Sequence, residues 1–316
     1  MSDTSRNASR AGAYDIVIVG AGPAGLSAAL VLGRCRRNVL VCDSGHPRNA
    51  ASHGVHCFLS RDGIKPHELL RLGREELRPF ECVTLRERCH VSDASVAGDG
   101  FIVTLESGSH VTCRKLLLAT GVVDDVPRIP GFGETYGSCV HHCPYCDGWE
   151  HRDRVIAIYG AGHSGAGLSL ELTQWSDSVR LCTDGDTSLS QRDRALLARH
   201  DIPVYEERIV CLDESDGHLH AIQFADGTKL PCDAMFFSLL EHQRSDLPAK
   251  LGCTFTPDGA VMTNQNEATN VPGLYVAGDA SRRAQFAIVA AAEGAMAAEA
   301  INRSLLRDDL GVPDLG

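Results

Sequence analysis

Cys143 and Cys146 are separated by Pro144 and Tyr145 and followed at once by Asp147 and Gly148. Two thiols at this spacing can close a small disulfide ring, and a neighbouring base or helix start can favour one of them as the attacking thiolate. His141 and His142 precede the first thiol and Asp147 follows the second, so each is a candidate to carry the proton that thiolate chemistry exchanges. Helix capping is the plainer role for Asp147. With 14 histidines in the chain, a surface or satisfied polar position is the plainer role for the two imidazoles. Two other readings of the pair stay open: an inert buried pair, and a zinc site completed by Cys139, His141 or His142. Redox chemistry is favoured because the pair stands beside a nucleotide-binding pattern and outside any cysteine-rich module.

That pattern is a strand, a glycine turn, a helix and a second strand. Residues 15–19 are short and β-branched, Gly20-Ala21-Gly22-Pro23-Ala24-Gly25 opens a helix, and Asn38–Cys42 returns as a strand ended by Asp43. In the dinucleotide fingerprint the first glycine permits the tight turn and the second lets backbone approach the pyrophosphate. The third lets helix pack on strand, and the acid accepts from ribose hydroxyls. The pyrophosphate sits at the helix start. The unit recurs: Arg154–Tyr159 reads as a strand, Gly160-Ala161-Gly162-His163-Ser164-Gly165 as a turn and 166–175 as a helix. A strand over 178–182 then leads to Asp184.

Hairpin-like pairs lie at 101–105 with 111–118, and at 221–225 with 230–237 around Asp226-Gly227. The first pair ends in Ala119-Thr120-Gly121. Pro127, Pro130 and Gly131 mark one boundary, and the stretch from Glu241 to Pro248 marks the other. The last strand runs into Gly278-Asp279, and an Ala-rich helix follows over 287–306.

Taken in order, GxGPAG, ATG, CxxCDG, a second GxGxxG and a terminal GD resemble the low-molecular-weight thioredoxin reductase family, from about Tyr14 to Leu306. The resemblance implies an α/β protein of two Rossmann-like three-layer domains, the second inserted into the first. An FAD-binding domain would comprise 1–123 and 245–316, and the insert, 124–244, would be a nicotinamide-type domain carrying the redox pair. It implies FAD contacts from Gly20, Gly22, Pro23, Ala24, Gly25 and Asp43, closure by Thr120 and Gly121, and a helix start at Gly278 and Asp279. Gln285 and Phe286 would lie by the isoalloxazine, and Asn49 and His53 line the flavin. Cys146 would meet the flavin and Cys143 the substrate, with Asp147 and His142 serving the proton. Family members are homodimers, so a homodimer is expected.

Two departures bear on the electron donor. Where NADPH-dependent members carry a basic run for the 2′-phosphate, this chain has Thr183-Asp184-Gly185. A carboxylate there repels that phosphate, so NADPH is disfavoured, while NADH remains possible. A glycine-containing turn is replaced by Ser238-Leu239-Leu240-Glu241-His242. Two directions therefore stay open. In one, NADH or a protein such as ferredoxin delivers electrons through FAD and the cysteine pair to a thioredoxin-like protein. In the other, a small-molecule dithiol is oxidised and O2 takes the electrons. A non-catalytic flavin-binding regulator is the alternative of another class.

The 316 residues give room for about two domains, and 43% hydrophobic with 22% charged residues is ordinary globular composition. A net charge of −11 argues against a nucleic-acid surface or docking on anionic membrane. The polar residues 1–13 read as a mobile tail without a secretory signal, and 16–32 is too interrupted by glycine and proline to span a bilayer. Most of the 13 cysteines sit in apolar runs as small hydrophobes, so a cytoplasmic protein with reduced thiols is expected.

Overall fold

A computed structural model describes residues 13–186, 188–237, 241–282 and 284–313. The expected tail and positions 238–240 of the altered turn lie outside the described residues. The chain divides into two compact units. One holds Met1–Ala50, His67–Val123 and His242–Gly316, the other Ala51–Pro66 and Asp124–Glu241.

In the first unit, β1 (Ala13–Val19) turns into α1 (Pro23–Arg34), and β2 (Val39–Asp43) returns parallel to β1 with Ile16 opposite Val39 and Val19 opposite Cys42. After α2 (Pro66–Leu77), β3 (Val83–Glu87) extends the sheet beyond β2. β4 (Val91–Ala97), β5 (Gly100–Leu105) and β6 (His110–Leu118) form an antiparallel meander, and β6 closes beside β1 in parallel. Alternate residues of β1 point to opposite faces. Ile16 and Ile18 join one buried cluster with Leu26, Ala29 and Leu32 of α1, while Val17 and Val19 join another with Phe101 and Val103. Both faces are covered, which is why β1 reads as an unbroken apolar run.

β7 (Val122–Asp124) leads into the second unit, through α3 (Phe132–Thr135), β8 (Val140–His141) and α4 (Pro144–Asp147). β9 (Ile156–Tyr159), α5 (Gly162–Leu172) and β10 (Val179–Cys182) form its β-α-β unit, followed by α6 (Gln191–Arg199) and β11 (Val204–Tyr205). β12 (Ile209–Ser215), β13 (His218–Phe224) and β14 (Lys229–Pro231) make a separate antiparallel sheet. β15 (Ala234–Phe237) returns to the parallel sheet, whose order is β11-β10-β9-β15-β8. After β16 (Glu241–Gln243) and α7 (Leu247–Lys250), β17 (Leu274–Val276) pairs with β6, and α8 (Ala287–Leu310) is the last element.

The architecture is the doubly wound α/β arrangement expected from the repeated fingerprint. Three local expectations need correction. The run 230–237 is two strands: Pro231 ends β14, and the Asp233 carboxylate then accepts the Val155 N–H (2.9 Å), turning the chain into the other sheet. The second fingerprint's helix starts four residues before 166, at Gly162, and its last turn loosens after Leu172. The final helix continues to Leu310, where Gly311 takes the left-handed conformation (φ 63°) that caps it.

Candidate functional site

In the first unit the glycine turn is forced by space. Gly20 has φ 105°, and a Cβ there would fall 2.2 Å from the Ala119 carbonyl oxygen. A Cβ on Gly25 would fall 1.9 Å from the Gly20 oxygen. Gly22 differs: a Cβ there would meet nothing within 4 Å. It caps α1 with no side-chain hydrogen bond, Pro23 follows it, and the first turn holds no acid. The helix start therefore faces an open cradle. Thr120 Oγ1, on the loop after β6, is buried without a hydrogen-bond partner, and Gly121 beside it has φ 67° with open space around its Cα. An orphaned hydroxyl beside an uncapped helix start fits a phosphate-bearing cofactor such as FAD.

Several of the other residues expected at the cofactor are bonded within the protein. Asp43 ends β2, accepting from the Gly45 N–H (3.2 Å) and from Arg74 (2.6 Å). Its carboxylate keeps acceptor capacity beyond those two bonds. Asp279 and Gln285 are held together by one guanidinium: Arg48 Nη1 donates to Asp279 Oδ2 (2.9 Å) and to Gln285 Oε1 (2.5 Å). Phe286 caps α8 in an extended conformation. Gly278 (φ 83°) donates its N–H to Glu293 Oε2 (2.8 Å), and Arg282 bridges Glu293 (2.7 Å) to Glu267. Burial pushes both of these carboxyls above their ordinary range, partly offset by Arg282. Asn49 is half-buried in the first unit, whereas His53 is exposed on the Ala51–Pro66 segment, which belongs to the second.

Arg48, Arg74 and the Glu267–Arg282–Glu293 network escaped sequence reasoning. The one available signal was Glu293-Gly294 interrupting an alanine run. A Cβ on Gly294 would lie 2.0 Å from the Ala24 carbonyl oxygen, so this break lets α8 and α1 touch backbone to backbone.

In the second unit, Cys143 and Cys146 are joined in a disulfide with a Cα–Cα distance of 5.3 Å. Cys143 is the N-cap of α4, and its sulfur accepts the Cys146 N–H (3.2 Å). Proline at the first helical position lacks the N–H that would go unpaired there. Tyr145 between the thiols is exposed, and its carbonyl faces the Cys57 thiol at 3.4 Å.

His141, not His142, reaches Asp147: Nδ1 lies 3.3 Å from Oδ1. The other His141 nitrogen, Nε2, lies 3.1 Å from the Ser138 carbonyl and 2.9 Å from Nε2 of His151, a residue that sequence reasoning did not single out. Burial, with a smaller push from His141, lowers the His151 pKa to about 4. His142 instead faces the Tyr136 hydroxyl (3.4 Å) and the edge of Phe237. Cys139 is turned into the core, where it meets the Leu219 N–H and the Gly217 carbonyl. Among the described residues no group of three or more His, Cys, Asp or Glu is arranged to hold a metal. Cys42, Cys113 and Cys232 are pushed up to about 12, chiefly by burial, which makes them poor nucleophiles.

The second fingerprint is structurally intact, but its acid is engaged. Asp184 (φ 52°) accepts from the Ile209 N–H (2.7 Å) and the Tyr159 hydroxyl (3.3 Å), and borders a cavity of about 520 Å³ with Arg128 and Arg208. Neighbouring Thr183 has a buried hydroxyl without a partner. No helix among the described residues is long and apolar enough to cross a membrane.

Residues 14–294 match the pyridine nucleotide-disulphide oxidoreductase family. The chain is 30% identical to a probable thioredoxin reductase of Arthroderma benhamiae, over 85% of this chain and 74% of that one. It is 31% identical to the thioredoxin reductase tcpT of Claviceps purpurea, over 93% and 95%. Among solved structures, a putative thioredoxin reductase TrxB from Bacillus anthracis superposes with a TM-score of 0.89 at 30% identity, covering 94% of this chain and 99% of that one. HlmI superposes with a TM-score of 0.91 at 35% identity, covering 95% of each.

Proposed function

This chain belongs to the pyridine nucleotide-disulphide oxidoreductase family, and from that premise we propose that it passes electrons between FAD and a substrate disulfide through Cys143 and Cys146. The observation that carries this reading is the disulfide itself, held at the start of α4 in an FAD-dependent disulfide oxidoreductase of the thioredoxin reductase type. When bound, FAD supplies a two-electron store able to exchange with a thiolate.

In this reading Gly20, Gly22, Pro23, Ala24 and Gly25 receive the pyrophosphate and Asp43 a ribose. Thr120 and Gly121 close the cradle with Gly278 and Asp279, and Gln285 and Phe286 lie by the isoalloxazine, with Asn49 and His53 lining it. The FAD domain comprises 1–123 and 245–316, with 124–244 inserted. Cys143 thiolate attacks the substrate disulfide, breaking its S–S bond, and the departing sulfur takes a proton from Asp147 or His142. Cys146 thiolate then attacks the mixed disulfide, closing Cys143–Cys146 and releasing the second substrate thiol. Cys146 is the thiol that faces the flavin.

A thioredoxin-like protein is the substrate favoured by the intact CxxCDG, in a cytoplasmic homodimer. The engaged Asp184 and the missing basic run support a degenerate NADPH site, leaving NADH or a protein donor such as ferredoxin. They equally favour a second reading, oxidation of a small-molecule dithiol with O2 as final acceptor. Anaerobic titration of the flavin-loaded protein tests both. Bleaching by NADH supports a nicotinamide-driven reductase, bleaching by a dithiol and not by either nicotinamide supports the oxidase or a reductase with a protein donor, and bleaching by none of them overturns the reading.

A further inference from the structure

The hydrogen-bond geometry around His141 determines where protons must lie. The Ser138 carbonyl can only accept, so His141 Nε2, 3.1 Å away, carries hydrogen. That same nitrogen is 2.9 Å from His151 Nε2, which must then be the acceptor, leaving the His151 proton on Nδ1. With Nε2 protonated, His141 Nδ1 lies 3.3 Å from Asp147 Oδ1, close enough for the two to share one further proton when it arrives. His141 is 6% exposed and packs on Phe236, so water does not readily replace these partners.

We propose that His141 and His151 form with Asp147 a proton-holding relay, in which His141 is the positioning residue that stores the proton Asp147 exchanges with sulfur and His151 fixes the His141 tautomer. The inference rests on the thiol–disulfide function proposed above and deepens it. When a thiol R–SH attacks Cys143, the Cys143–Cys146 bond breaks, R–S–Cys143 forms, and Cys146 departs as a thiolate with the bonding pair. The proton of R–SH passes to the Asp147 carboxylate and is shared with His141 Nδ1. In the opposite direction the same proton returns to the leaving sulfur. His151 must remain a neutral acceptor for this to work. Burial keeps it so above about pH 4 against the opposing pull of Asp147 and Asp233, with His141 and Arg154 acting in the same sense as burial. This arrangement assigns to His141 the support that sequence reasoning divided between His141 and His142.

Two measurements on the flavin-loaded protein test the relay. The first is the pH profile of flavin bleaching by dithiothreitol under anaerobic conditions, compared between wild type and His141→Asn. The relay predicts a rate loss of roughly tenfold to a hundredfold, within the usual range for a supported general acid–base, and displacement or loss of an inflection in the profile. A His141→Asn protein that stays yellow and folded with an unchanged profile overturns it. The second is ¹⁵N-histidine NMR, which does not depend on turnover and stands if the proposed function fails or a variant does not fold. The relay predicts a neutral His151 ring with hydrogen on Nδ1, and a His141 ring whose Nδ1 signal changes in Asp147→Asn. Hydrogen on His151 Nε2, or a His141 signal indifferent to Asp147→Asn, overturns it.

Discussion

The carboxylate of Asp184 accepts the backbone N–H of Ile209 at 2.7 Å, which ties the end of β10 to the start of β12. The acid that sequence spacing offers to a ribose is thus already bonded within its own unit, with the Tyr159 hydroxyl on its other oxygen. Asp184→Ala leaves a buried donor unsatisfied and is expected to cost about 1–3 kcal/mol of stability, read by urea unfolding. In wild type, a carboxylate where a 2′-phosphate would sit predicts slower flavin bleaching by NADPH than by NADH. Equal or faster reduction by NADPH contradicts that expectation.

Gly22 and Gly294 make a contrasting pair. A Cβ on Gly22 meets nothing within 4 Å, so Gly22→Ala is expected to leave the melting temperature nearly unchanged while flavin content falls, because the methyl would enter the space proposed for the pyrophosphate. Gly294→Val must push α8 away from the Ala24 carbonyl and is expected to cost on the order of 3 kcal/mol, visible in thermal unfolding even without flavin. A Gly22→Ala protein that retains full flavin would show that the cradle is not the cofactor site.

Arg48 holds Asp279 and Gln285 with one guanidinium nitrogen. Arg48→Ala removes the bond that each makes to the guanidinium and is expected to speed flavin dissociation by about tenfold, the equivalent of roughly 1.4 kcal/mol. Dilution into apoflavoprotein acceptor, followed by fluorescence, measures it.

The parts of this fold legible in the sequence are those set by the backbone. Gly25 is fixed by a contact within one β-α-β unit and Gly20 by the positive φ of the turn that opens it, and β1 and β9 announce themselves as apolar runs beside glycine turns. What could not be read depends on partners distant in sequence. The break at Cys232-Asp233 follows from Val155 just before β9, and the engagement of Asp184 follows from Ile209. His151 looks like any other histidine until the loop after α4 brings it to His141. Arg48 stands next to Asn49, a residue the resemblance offered to the flavin, yet its role required the turn before α8 to present Gln285.

His151 also links stability to pH. Its folded pKa of about 4 lies below the ordinary value of 6.5, so the unfolded chain binds more protons between these values. Stability contributed here is present above about pH 6.5 and is lost as pH falls toward 4, by at most about 3 kcal/mol. His151→Gln, which retains an acceptor, is expected to flatten that part of the stability–pH curve. An unaltered slope would show that the titrating group lies elsewhere.

The central claim is electron exchange between the flavin and the Cys143–Cys146 pair. Its most direct measurement is anaerobic stopped-flow mixing of the flavin-loaded protein with a dithiol, in wild type, Cys143→Ser and Cys146→Ser. The account predicts rapid bleaching in wild type and its loss in both variants, with a long-wavelength charge-transfer band in Cys143→Ser, where Cys146 remains to face the flavin. Bleaching at the wild-type rate in either variant would contradict it.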